Sequence, residues 1–185
     1  GRPPRGMWPA DGAGSQFVLP HFARHGIRWL ATDRGVLARS GRWGYDADDP
    51  AVLCRPYRAE EGEHALSVFF RDTALSDAIG FRYHAYADPA EAARDFLREL
   101  AGRFAPEDPG EMSRVVTVAL DGENAWGTYR EDARPFLHAL YGQIERDPGQ
   151  TSPHDVGHIF APWPARAYHA ARWIGWGGAS LPGGR

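Results

Sequence analysis

The sequence contains no lysine: all 21 of its basic residues are arginine. Asparagine occurs once, at Asn124, and cysteine once, at Cys54. A lone cysteine excludes an internal disulfide and fits a reducing, cytoplasmic setting. The missing lysine, set beside abundant Ala, Gly, Pro and Arg, is the mark of a GC-rich coding background, so the arginine excess carries no message about salt bridges. The same background works against asparagine, which singles out Asn124. No apolar run approaches the roughly 20 residues needed to span a bilayer, and no signal-type segment is expected at the start of the chain. A net charge of −3 offers no basic face to nucleic acid or to an anionic membrane. Neither is expected as a partner.

What is present is ordinary for a globular chain: 185 residues, 43% hydrophobic and 24% charged, enough for one domain with a sizeable core. Seven tryptophans raise the aromatic share to 12%. They serve a large aromatic core, or some of them line a site where flat apolar rings stack on sugar faces.

Periodicity divides the chain into alternating strands and helices. Ile27–Thr32 and His64–Phe70 read as strands, and Val115–Leu120 is the clearest apolar run. Gly14–His25 holds a helix if Pro20 falls in its first turn. Thr73–Phe81 predicts a short helix and Arg134–Glu145 a longer one. Asp88-Pro89-Ala90-Glu91 is a helix start, with Asp as N-cap, Pro at N1 and Glu in the first turn. Ala92, Phe96, Leu97 and Leu100 then follow helical spacing. Gly41–Pro50 and Pro106–Glu111 read as loop, and residues 165–185 as a disordered tail. Continuous apolar strands alternating with helices predict a parallel sheet covered by helices.

Each of the three expected strands ends in an aspartate: Asp33, Asp72 and Asp121. A fourth, Asp11, follows Gly6-Met7-Trp8-Pro9. Parallel α/β architectures gather their active sites at C-terminal strand ends, although any one of these aspartates would serve equally as a helix cap or turn former. Asp121 follows six apolar residues, with Glu123, Asn124 and Trp126 close behind. A carboxyl group near apolar rings and a second carboxylate is expected to titrate high, which suits a general acid near neutral pH. Glycoside cleavage uses such a pair, about 5–5.5 Å apart for retention and about 6.5–9.5 Å for inversion.

Five segments together resemble glycoside hydrolase family 57, and within it the amylopullulanase-like and related members. They are Gly6–Gly12, Ala31–Ser40, Arg55-Pro56-Tyr57, Phe70–Phe81 and Leu120–Trp126, in that order. The resemblance covers roughly residues 5 to 145, and the five segments are specific only in combination. It implies a partial (β/α)7-type barrel, with parallel strands and helices outside. It also implies a retaining hydrolase or glucanotransferase acting on the α-glucosidic bonds of starch-, glycogen- or pullulan-like polysaccharides, with no metal or other cofactor. On this resemblance Asp121 takes the acid/base place and Asp11 the nucleophile place. Trp8, Asp33, Arg71, Asp72, Asp77, Glu123, Asn124 and Trp126 fall where substrate is bound or the site is shaped.

The chain departs from the family pattern at three points. Position 11 is Asp where the family has Glu, which withdraws the carboxylate by about a bond length, and a misplacement of about 1 Å can cost roughly 10²-fold in rate. Position 34 is Arg where this group is acidic. The family's first-strand His-Gln-Pro motif is absent, so the chain is expected to be a single fragment of a longer catalytic barrel.

Two other readings stay open: a non-catalytic carbohydrate-binding relative, and a metal-dependent polysaccharide deacetylase. His154 and His158 have the i, i+4 spacing of a metal pair, but Gly157 lies between them and no third ligand is evident. His21 and His25, flanked by Pro20 and Gly26, read as helix-end residues, and Cys54 as a buried thiol. No Gly-rich phosphate loop of the usual spacing occurs.

Overall fold

The structure is a computed structural model that describes residues 3–40, 46–104, 114–120, 126–146 and 169–170. The chain divides into two compact units. The first comprises residues 1–72, 112–117 and 165–185; the second comprises 73–111 and 118–164.

The first unit is built on a sheet of five strands: β1 (Gly6–Met7), β2 (Trp29–Asp33), β3 (Tyr57–Glu61), β4 (His64–Arg71) and β5 (His169–Ala170), in the order β1-β2-β4-β3-β5. β1, β2 and β4 run parallel, with Gly6 opposite Trp29 and Asp33 opposite Arg71. β5 pairs parallel to β3. The exception to parallel pairing lies between β4 and β3, which returns antiparallel to it, so β3 and β5 run opposite to the other three strands. The cause is a two-residue turn: Gly62, at φ +59°, occupies the first central position of a tight hairpin, where glycine is favoured. Three short helices belong to this unit: α1 (Leu19–Arg24), α2 (Arg34–Ser40) and α3 (Pro50–Leu53). α1 packs on β3 and β4, and α2 on β2 and β4. The mixed α/β class with a mostly parallel sheet and flanking helices is therefore as expected.

Pro20 lies in the first turn of α1, the position where a missing N–H costs nothing. α3, absent from the sequence reading, starts at Pro50 and is capped by Asp49, whose carboxylate accepts from the Ala51 N–H at 2.8 Å. The core comprises Leu19, Leu30, Val36, Leu66, Val68 and Phe70 with their neighbours, all nearly inaccessible. Each such side chain contributes about 1.5–3 kcal/mol on burial. Along β4 burial alternates, with Leu66, Val68 and Phe70 inside and Ser67 and Phe69 half-covered. The apolar run therefore serves one full core face. On the other, Phe69 meets the Trp29 ring edge-on at 6.1 Å. The Trp29 indole also lies against Gly6, where a Cβ would come within 1.9 Å of it, so β1 can approach β2 only as glycine there.

The apolar run before Asp121 forms less of a strand than expected. Residues 114–120 form no continuous strand, and among them only Thr117 bridges, parallel to Arg71 at the end of β4. The Asp72 N–H donates to the Thr117 carbonyl at 2.8 Å, and the Val115 N–H to the Cys54 carbonyl at 2.9 Å. β3 ends its pairing at Val68, so this segment takes up the last part of the β4 edge.

The second unit is helical: α4 (Thr73–Phe81), α5 (Pro89–Gly102) and α6 (Arg134–Arg146), with 3₁₀ turns at Tyr83–Ala85, Trp126–Thr128 and Arg130–Ala133. Asp88 caps α5 as expected, accepting from the Ala90 N–H at 2.8 Å. α5 and α6 pack together, and the Gln143 amide reaches the Ala90 carbonyl at 3.0 Å. Tyr83 is the centre of this core, stacked on Phe136 at 5.9 Å and edge-on to Phe96 at 6.1 Å. Among the described residues no helix is long and apolar enough to cross a membrane. The expected linker 106–111, His154 and His158 lie outside the described residues, as does the expected tail apart from β5.

Candidate active site

The parallel register of β1, β2 and β4 brings their C-terminal ends to one edge of the sheet. The loop leaving β1 carries Trp8 and Asp11, β2 ends in Asp33, and β4 ends in Arg71 followed by Asp72. Five of the residues singled out in the sequence thus belong to a single edge of the first unit.

The Asp11 loop is fastened to that edge. Residues 10–12 form a 3₁₀ turn closed by Gly12 N–H to Pro9 carbonyl and Ala13 N–H to Ala10 carbonyl, both at 2.9 Å. Asp11 and Gly12 are both left-handed, at φ +53° and +63°. The buried Thr32 hydroxyl donates to the Gly12 carbonyl, tying the loop to β2. A Cβ on Gly12 would lie 2.7 Å from the Trp8 ring and 3.2 Å from the Asp33 nitrogen. Indole, glycine and the end of β2 are therefore in close contact, and Asp11 is held beside them with its side chain exposed. Trp8 is 38% exposed, leaving ring surface for a flat ligand.

The other aspartates divide by burial. Asp33 Oδ1 accepts from the Gly35 N–H at 2.6 Å and opens α2, so the capping alternative holds for this residue. Asp72 is 1% exposed. In the second unit, Asp77 is half-buried on α4, and Trp126 is half-buried with its ring tilted on Tyr129 at 6.0 Å. Asp121, Glu123 and Asn124 lie outside the described residues.

Sequence reasoning passed over Thr32 and Asp48. Nothing distinguishes Thr32 from the other strand residues until its partner is known. Asp48 accounts for the unexpected Arg34: Arg34 Nε donates to Asp48 Oδ1 at 2.6 Å, with a second contact beside it. That pairing raises the guanidinium pKa further and matches the positive charge at position 34 locally. Among the described residues no three His, Cys, Asp or Glu side chains are grouped to hold a metal ion.

A carboxylate-bearing loop at the C-terminal edge of a parallel α/β sheet, beside an exposed indole, is an arrangement found in carbohydrate-active barrels. Residues 1–155 match Glycosyl hydrolase family 57, and the chain belongs to that family. A crystal structure of 4-α-glucanotransferase from Thermococcus litoralis resembles it in fold, with a TM-score of 0.51 at 20% identity. The likeness covers 76% of this chain and 18% of that one. No curated protein sequence matches the chain.

Proposed function

We propose that the protein acts on α-glucans by a retaining, two-carboxyl route, as a hydrolase or glucanotransferase. The observation that carries this reading is the Asp11 loop, which Thr32 and the Trp8–Gly12 contact hold at the C-terminal edge of the sheet. Family membership across residues 1–155 covers both Asp11 and Asp121 and supports the same reading. The solved relative's name, a 4-α-glucanotransferase, favours α-glucan over other saccharides.

In this proposal Asp121 protonates the leaving oxygen and later deprotonates the incoming acceptor, while Asp11 stands where the covalent bond to the sugar forms. Trp8 and Trp126 offer stacking surfaces. Arg71, Asp77, Glu123 and Asn124 contact the substrate, and Asp33 and Asp72 shape the site from behind, since one is spent on a cap and the other is inaccessible.

The test is turnover of maltooligosaccharides and pullulan. General acid/base catalysis contributes about 10²–10⁴-fold, so Asp121→Asn should lower kcat by that order. Unchanged turnover in a folded Asp121→Asn protein removes the assignment. The second reading, glucan binding without cleavage, has one specific observation in its favour: the carboxylate at position 11 is a methylene shorter than the family's glutamate.

A further inference from the structure

The second unit contains a cleft of about 100 Å³ between the 3₁₀ turn at Tyr83–Ala85 and the start of α6. Its floor is aromatic. Tyr83, Tyr129 and Phe136 are buried there, and Tyr86 is half-buried. His84 and Arg130 line it as exposed residues, so its rim is polar.

The three tyrosine hydroxyls are committed to groups that do not line the cleft. Tyr129 donates to the Ile79 carbonyl, and Tyr83 and Tyr86 each reach Asp95 Oδ2 at 3.3 Å. What ring surface reaches the cleft is therefore carbon, and Tyr86 is the least covered of the four rings. Arg130 Nε lies 3.4 Å from Glu131 Oε1, and Asp132 follows, so the rim carries no surplus positive charge to favour an anion. A carbon floor under a polar, near-neutral rim suits a ligand with one flat apolar face and a fringe of hydroxyls, which describes a pyranose ring. Tyr129 also contacts Trp126 at 6.0 Å and Phe136 at 5.5 Å, and Trp126 follows Asp121 by five positions. A series of rings thus leads from Trp126 to the cleft.

We propose that this cleft is a sugar-binding subsite that takes one glucosyl unit of an α-glucan, its apolar face on the aromatic floor and its hydroxyls toward His84 and Arg130. The choice of an α-glucan rests on the functional reading above; the site itself does not depend on turnover.

The experiment is calorimetric titration of maltoheptaose into the Asp121→Asn protein, compared with the same protein carrying Tyr86→Ala, Tyr86→Phe or Arg130→Ala. Loss of one aromatic contact weakens binding by about two- to tenfold, so Tyr86→Ala should raise Kd by that factor. Tyr86→Phe, which keeps the ring, should bind as the parent does. Arg130→Ala should weaken binding at least twofold and, altering a side chain 90% exposed, decides the matter if Tyr86→Ala does not fold. Unchanged Kd in folded Tyr86→Ala, equal losses in the Phe and Ala variants, or no maltoheptaose binding by the parent each overturn the subsite. Tyr86-dependent binding in a protein that never turns over glucan upholds the subsite and overturns only the catalytic reading.

Discussion

Asp11 sits at φ +53° and ψ +24°, a backbone state that aspartate tolerates better than most side chains because its short polar arm bonds locally. The shorter residue therefore suits this turn even though it draws the carboxylate back. Asp11→Glu restores the reach and places a less tolerant residue in a left-handed conformation. If the missing methylene limits the reaction, Asp11→Glu should raise kcat/KM on maltooligosaccharides by up to about 10²-fold. It should also cost up to about 1 kcal/mol in urea-unfolding stability. A folded Asp11→Glu protein no faster than the parent would show that reach at position 11 does not limit turnover. Gly12 has no comparable freedom: its φ of +63° and the Trp8 ring at 2.7 Å from any Cβ both require glycine.

At the level of elements, the turn ahead of α6 is the most strained piece of backbone described. Glu131, Asp132 and Ala133 follow one another at φ +54°, +52° and +61°. Each such L residue costs roughly 1–2 kcal/mol. The turn persists because Ala133 is completely buried at the head of α6 and Tyr129, just before it, is buried and bonded to Ile79. Glu131 is exposed, and its contact with Arg130 is a solvated ion pair of little worth. Glu131→Gly should therefore stabilise the fold by roughly 0.5–1 kcal/mol, after the entropy that glycine adds to the unfolded chain. Thermal unfolding reads this as a rise in Tm; a fall would show that the turn is not left-handed. Elements whose signals are local were legible in the sequence: Asp88-Pro89 opened α5, the Thr73–Phe81 helix came out with its bounds, and β2 and β4 were placed within two residues. β3 was missed although Tyr57 and Ala59 alternate with polar residues ahead of Gly62, because two apolar positions in five residues make too short a pattern to stand out. Val115–Leu120 was overrated because apolar content does not supply a pairing partner, and only Thr117 meets one. At the site, the ends of β2 and β4 and the loop at Asp11 were legible as aspartates after apolar runs. The Thr32–Gly12 tie and the Asp48–Arg34 pair were not, because each joins residues distant in sequence.

Across the whole molecule, the absence of lysine shapes the response to alkali. No side-chain amine titrates near pH 10, and the arginines keep their charge above pH 12. Tyrosine ionisation therefore governs the alkaline limb. Burial raises the Tyr129 phenol to about 12 and moves Tyr83 in the same direction. An unfolded tyrosine releases its proton near pH 10. Below that pH both states hold the proton and the stability due to these residues is fully present. Between pH 10 and about 12 the unfolded chain gives up protons that the folded one retains, so stability falls as pH rises. For Tyr129 the loss over that interval is roughly 2–3 kcal/mol, and Tyr83 adds to it. Tyr129→Phe removes this group from the titration but leaves the Ile79 carbonyl without its donor, at a cost of about 1 kcal/mol at neutral pH. The variant should thus be less stable than the parent at pH 8 yet lose less between pH 8 and pH 11, as urea midpoints at the two values would record. Equal losses in the two proteins would place the alkaline sensitivity elsewhere than at the Tyr129 phenol.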